Sequence, residues 1–257
     1  RIHMKLKHQY IFVIILLILC LLYFLYWIQN HCQIEGFSSN DSSPYIQLVI
    51  ARYNEDLDWL YEEPYSKYDA IVYNKGENQD FTTTPRVVKT KTLENVGRCD
   101  HTYLYHVIDQ YDDLADITIF LPGSTDMNDD KLNDSKKIIK KVEETGATSF
   151  IHKTDNVYEQ QKDFSLDDWA ASNEKNKQLN DESKMTPAKI RPFGEWYKSH
   201  WGDKVIQDHS WYGIFAIHKD DILKHPKSYY ENLIQELEVS SNPEVGHYFE
   251  RSWAAVF

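Results

Sequence analysis

The stretch Tyr10–Ile28, YIFVIILLILCLLYFLYWI, constrains this chain more than any other feature. It runs for 19 residues without a charge, a glycine or a proline. A bilayer core of roughly 30 Å takes about 20 helical residues, so the segment is predicted to be a transmembrane anchor contacting lipid through residues 10–28. The sequence holds no second run of this kind, so the rest of the chain is expected to fold in water.

Flanking charge gives the anchor a direction. Arg1, Lys5 and Lys7 precede it without an acidic residue, whereas Glu35 and Asp41 follow it and the next cation is Arg52. The positive-inside rule then places residues 1–9 in the cytosol and the C-terminal part in the lumen or the exterior, a single-pass type II layout. A cleaved signal peptide is the competing reading. Its apolar core usually spans about 7–15 residues and ends at a small-residue cleavage site, and neither trait is present. Tyr23, Tyr26 and Trp27 suit an interfacial aromatic belt. Residues 29–44 are polar and serine-rich and read as a stalk, leaving 45–257 as one domain of ordinary size.

Composition narrows the partners. The formal charge is −12, and residues 1–9 carry +3, so residues 10–257 carry −15. A body that acidic lacks the basic footprint of a nucleic-acid binder. Of three cysteines, Cys20 lies in the apolar run, while Cys32 and Cys99 would share the oxidising compartment, where a disulfide between them is chemically allowed. Asn40 and Asn133 begin glycosylation triplets.

Apolar patterning then gives the elements. Strands are predicted at Ile46–Ala51, Asp69–Tyr73, Arg86–Thr90, Ile117–Leu121, Thr148–Ile151 and Trp211–His218. A short helix through Leu57–Tyr61, capped by Asn54 or Asp56, and helices at Cys99–Tyr111, Lys136–Glu144, Tyr229–Val239 and Val245–Val256 complete the pattern. Residues 153–189 are polar and read as an exposed insertion. Strands alternating with helices imply an α/β domain with a largely parallel sheet.

Ligands of open parallel sheets bind at the carboxyl ends of the strands. Three polar clusters are expected there: Arg52-Tyr53-Asn54-Glu55-Asp56, Asn74-Lys75-Gly76, and the loop Pro122–Asp130. In that loop Asp126 and Asp129 either hold a hard divalent cation, Mn²⁺ or Mg²⁺, or form an exposed acidic turn. Arg98, with Asp100 and His101, opens a helix, where it serves an anion or a salt bridge. Near the end of the chain, Glu244, His247, Glu250, Arg251 and Trp253 share one helix. Glu250 among aromatics is expected to have a raised pKa and to act as a general base, or else to pair with Arg251. No nucleophile elbow, phosphate-binding loop or HExxH motif occurs.

Together these motifs resemble a known family. The segments Ala51-Arg52-Tyr53-Asn54-Glu55-Asp56-Leu57, Tyr73-Asn74-Lys75-Gly76 and Asn95-Val96-Gly97-Arg98 with His101-Thr102-Tyr103-Leu104 are similar to the uncharacterised family called domain of unknown function 3431. So is the tail from Asn242-Pro243-Glu244 through Gly246-His247-Tyr248, Glu250-Arg251 and Trp253-Ala254-Ala255. The layout of that family looks like GT-A glycosyltransferases, whose Rossmann-like sheet binds a nucleotide sugar. The resemblance implies a nucleotide-sugar site at Arg52, Tyr53, Asn54, Asp56, Asn74, Lys75, Arg98 and His101. It places the Glu244–Trp253 helix, with His247, Arg251 and Trp253, beside a glycan or protein acceptor, where the catalytic carboxylate expected from the residues themselves is Glu250 or Glu244. The Asp-x-Asp motif that usually holds the metal in GT-A enzymes is missing after Ile117–Leu121. That departure keeps a second reading open: a membrane-tethered, non-catalytic structural protein, for instance in a virus particle.

Overall fold

The computed structural model describes residues 43–81, 83–168 and 184–257. The anchor at 10–28, the stalk up to residue 42 and Cys32 lie outside them. Among the described residues no helix is long and apolar enough to cross a membrane.

In chain order the elements are β1 (Ile46–Arg52), β2 (Asp69–Asn74), β3 (Val87–Thr92), α1 (Arg98–Asp109), β4 (Ile117–Pro122), α2 (Asp129–Thr145), β5 (His152–Lys153) and α3 (Val157–Gln161). They continue with α4 (Phe193–Trp201), β6 (Asp208–His209), β7 (Phe215–His218), α5 (Lys219–Ile222), α6 (Lys227–Ile234) and α7 (Glu244–Val256). One sheet runs in the order β3-β2-β1-β4-β7, and β5 and β6 form a separate ribbon. Strands β1 to β4 are parallel, and β7 joins β4 antiparallel. The protein is thus mixed α/β, with a mostly parallel central sheet between helices.

Strands covered on both faces need apolar side chains at consecutive positions, and β1 and β4 have them. Leu48 and Ile50 point into the layer with Ile138, Ile139 and Val142 of α2 and with Trp59, Leu60 and Tyr65 from two single 3-10 turns. Val49, Phe120 and Phe215 point the other way, onto Tyr103 and Leu104 of α1, Trp196 and Tyr197 of α4, and Phe249 and Trp253 of α7.

Several boundaries depart from the sequence pattern. The Leu57–Tyr61 helix is a 3-10 turn over Asp58–Tyr61, and no side chain caps it, so neither Asn54 nor Asp56 has that role. Helix α2 starts seven residues before the predicted Lys136 because Asn128 accepts from the amides of Asp130 and Lys131. Its end at Gly146 is as expected, with the glycine at φ 60° closing the last turn. Thr148–Ile151 contributes only an isolated bridge between Ser149 and Ala216. Trp211–Ile214 precedes β7 as a turn, since Tyr212 and Gly213 adopt φ 62° and 70°. Helix α4 was not anticipated, although Phe193, Trp196 and Tyr197 have the 3.6-residue spacing of a buried face. The described ends of the 153–189 stretch pack inward, with Val157 and Met185 buried.

Candidate functional site

Strands β1 and β2 end in a loop knot. Arg52 is 1% exposed. Its Nε donates to Glu55 O at 2.6 Å, and its Nη1 donates to Asn74 Oδ1 at 2.6 Å and Asn78 O at 2.7 Å. The guanidinium carbon lies 3.7 Å above the Phe81 ring. Asn74 is buried and donates to Gly76 O and Asn78 O, while Asn54 accepts from Asn78 N at 3.1 Å. Asp56 points to solvent. Lys75 donates to Val96 O and Arg98 O at 2.5 and 2.6 Å, and burial pushes its ammonium down to about 7. These side chains tie three loops together; of the Arg52 guanidinium, Nε and Nη1 are engaged, while Nη2 is buried without a hydrogen-bond partner among the described residues.

A second cluster forms where β1 and β4 diverge, the point in such a sheet where ligands bind. Glu55 is buried there and accepts from Tyr53 N at 2.6 Å. Burial raises its carboxyl, partly offset by the Tyr53 amide and by the Arg52 and Lys131 charges. A Cβ on Gly123, at the end of β4, would lie 2.9 Å from Glu55 Oε2, so glycine is required for this approach. Lys131, in the first turn of α2, donates to Ser124 Oγ at 2.8 Å and lies 5.7 Å from the Tyr212 ring centre. Burial lowers its ammonium, while Cys99, Glu55 and Glu250 pull it back up.

Helices α1 and α7 form the opposite wall. Gly246 lets them approach, since a Cβ there would sit 3.1 Å from Arg98 Cδ and 3.2 Å from Asp100 Oδ2. Gly97 and Arg98 start α1 at φ 61° and 55°. Arg98 is partly exposed and donates to Asn242 Oδ1 at 3.2 Å. Asp100 is buried and accepts from Trp253 Nε1 at 3.1 Å. Burial, reinforced by the charge of Glu250, pushes Asp100 up to about 7. Glu250 is partly exposed; its Oε1 accepts from Tyr212 N at 2.6 Å, and its Oε2 lies 3.6 Å from His247 Nδ1 and 3.8 Å from Arg251 Nη1. The expected rise in its pKa is reversed. Burial does push the carboxyl up, but His247, Arg251 and Arg98 together hold it below the usual range. Burial also keeps His247 below its usual value, so at neutral pH the positive charge comes from the two arginines.

The remaining predicted residues have other surroundings. Glu244 is fully buried and accepts from Leu166 N, Ala188 N and Tyr248 Oη at 2.8 to 2.9 Å, with Arg191 Nε 2.8 Å away. It fastens the chain on either side of residues 169–183 to the start of α7. Arg251 is spread over the Phe164 ring at 3.5 Å and donates to Gln161 and to His247 O. Trp253 is a core residue stacked on Phe215. His101 is buried near Glu238 and held down to about 3, first by burial and then by Lys75. Asp126 and Asp129 are exposed. Among the described residues no three His, Cys, Asp or Glu side chains gather as a metal site. Lys131, in the first turn of α2, brings an ammonium to Ser124 of this loop, where it competes with a metal cation, so the residues present do not fit a bridging divalent ion. Cys99 is a free thiol.

Sequence reasoning overlooked Lys131, Ser124 and Tyr212. One signal was available: a lysine directly after Asp129-Asp130 in the first turn of a helix, where the helix dipole disfavours cations. A comparison with curated proteins finds no match. A family model described as "Protein of unknown function (DUF3431)" matches residues 48–257. That span covers β2 to α7 and nearly all of β1, so the chain belongs to the DUF3431 family.

Proposed function

We propose that this protein is a type II membrane-anchored glycosyltransferase, with residues 10–28 in the bilayer and the α/β domain in the lumen or exterior. Its substrates are a nucleotide sugar and a hydroxyl on a glycan or protein. The observation that carries this reading is the cluster of charges at the carboxyl ends of β1 and β4, where Lys131 feels Glu55, Arg98 and Glu250, and Asp100 feels Arg98 and Glu250. The strand order β3-β2-β1-β4 supports it by agreeing with a Rossmann-like, GT-A-like layout.

In this reading the acceptor oxygen bonds to the anomeric carbon as the carbon–phosphate oxygen bond breaks. The nucleoside diphosphate leaves, and the acceptor proton passes to the Glu250 carboxylate. Glu250 has the features of such a base: it is partly exposed and is held ionised by Arg251 and Arg98. Asp100 and Glu250 are neighbours whose surroundings drive their pKa values apart, a trait of acid–base sites. The test uses the full-length chain in nanodiscs with a panel of nucleotide sugars, measuring transfer and donor hydrolysis for the wild type and for Glu250→Gln. Turnover that falls at least a hundredfold in the variant supports the assignment; a panel with no turnover and no nucleotide binding refutes it.

One observation favours a second reading, a non-catalytic structural protein. At the end of β2 a Cβ on Gly76 would fall 1.6 Å from Tyr53 O, so protein fills the space that the Asn74–Gly76 loop would offer a nucleotide. This reading predicts a fixed copy number in an assembly and no turnover.

A further inference from the structure

The ammonium of Lys131 is short of a counter-ion. Among the described residues it makes one hydrogen bond, to the neutral Ser124 hydroxyl at 2.8 Å, and no ion pair. It is partly buried, and a cation withdrawn from water without a partner is costly. Its place in the chain adds to that cost, since the first turn of α2 already presents the positive end of the helix dipole. The nearby carboxylates do not supply the missing contact: Glu55 and Glu250 favour its charge only from beyond the 4.0 Å of an ion pair. Lys131, Arg98, Tyr212 and Glu250 all retain some solvent exposure, so this corner is reachable from outside.

We infer that Lys131, with Arg98 facing it from the start of α1, binds the diphosphate of a nucleotide at the carboxyl end of β4 without a divalent cation. The inference rests on the sugar-transfer reading above and specifies how its leaving group is held. An ammonium donates up to three hydrogen bonds and a guanidinium adds a planar fork. Together they supply the positive charge that a metal would otherwise bring to the breaking bond. The Ser124 hydroxyl keeps the Lys131 chain folded back over the strand end, so the charge is already in position when a nucleotide arrives.

The experiment is calorimetric titration of the full-length chain in nanodiscs with UDP and with GDP, in EDTA and in Mn²⁺. Wild type, Lys131→Met and Lys131→Arg are compared, each checked by thermal unfolding. One nucleotide is expected to bind in EDTA as tightly as in Mn²⁺. Lys131→Met should weaken it at least tenfold, and Lys131→Arg by less than threefold. The unfolding temperature of Lys131→Met without nucleotide should equal or exceed that of the wild type, because an uncompensated charge has been removed. Binding that requires Mn²⁺, or that is the same in wild type and Lys131→Met, overturns the inference and leaves the transferase reading standing. Absence of binding by either nucleotide under both conditions overturns the two together.

Discussion

Replacing Glu244 by Gln separates fastening from chemistry more sharply than any other single change. The carboxylate is 0% exposed and faces donors only: two backbone amides, the Tyr248 hydroxyl and the Arg191 guanidinium, all within 2.9 Å. An amide in its place must turn its own NH₂ toward one pair of these donors, whichever way it flips. Two hydrogen bonds to a charged acceptor are then lost, at about 1.5–3 kcal/mol each, and Arg191 loses the Glu244 charge while keeping Asp167 and Leu166 O. Arg191 is about a third exposed, so water softens that last loss. The sum is about 3–5 kcal/mol, the range found when one member of a buried ion pair is removed. For a domain of this size each kcal/mol moves the unfolding temperature by about 2–4 °C, so Glu244→Gln should lower it by roughly 6–20 °C. Circular dichroism against temperature measures this. Proteolysis should also cut between residues 166 and 188 sooner, since both ends of that segment hang on Glu244. A shift below 2 °C would refute the argument and return Glu244 to the list of available carboxylates.

Three further changes probe the same architecture. Gly97→Ala puts a Cβ 2.6 Å from Leu237 O at φ 61°; the left-handed backbone costs about 1–2 kcal/mol and the clash a further 1–3 kcal/mol, visible as a drop in the urea midpoint with no change in its slope. Arg52→Leu removes three hydrogen bonds and leaves the Glu55 carbonyl without the guanidinium donor, while Asn74 Oδ1 and Asn78 O keep Gly76 N and Asn74 Nδ2; a loss of about 2–4 kcal/mol is expected, and an unchanged midpoint would contradict the staple. Asp100→Asn tests the raised carboxyl. Between pH about 4 and about 7 the folded protein keeps a proton that the unfolded chain has released, so stability falls as pH rises, by up to about 1.4 kcal/mol per unit. Asparagine preserves the acceptor for Trp253 and removes the titration, so the variant should gain on wild type from pH 4 to 7 and hold a constant lead above it; a lead that does not grow across that window rejects the assignment.

What the sequence made legible followed from burial. Strands β1 and β4 are covered on both faces, and their unbroken apolar runs announce it. Helix α7 carries its amphipathic stripe over its whole length, and Gly146 marks the end of α2. The first two turns of α2 were invisible because DDKLNDS has no apolar stripe; the cap at Asn128 and the polar contacts of Lys131, Asp134 and Ser135 with distant residues hold them. Arg52 shows a different limit. Its acceptors include a carbonyl 26 residues downstream, and no local pattern reveals that a guanidinium has been claimed by its own loops. For Glu250 the neighbours visible in sequence were aromatic and implied a raised pKa. One of the charges that decides the matter sits on Arg98, distant in the chain and brought close only by the packing of α1 against α7.

Glu244 and Glu250 make the point within one helix. They lie six residues apart, about 600° of helical rotation, and so about 240° around α7 from one another. Periodicity puts the two carboxylates on different faces but cannot say which face has a task left to perform. Only the donors around them decide. Glu244 meets a donor at every direction its oxygens offer, and ligand binding there would have to break the fold. Glu250 has one oxygen held by the Tyr212 amide, and the other lies 3.6 Å or more from His247 and Arg251. Glu250 is partly exposed, is held below the usual carboxylate range, and acts from beyond ion-pair distance on the Lys131 ammonium. A carboxylate able to accept a proton and a cation able to hold an anion therefore share one corner of the domain, the arrangement that the proposed transfer from a phosphate to a hydroxyl would use.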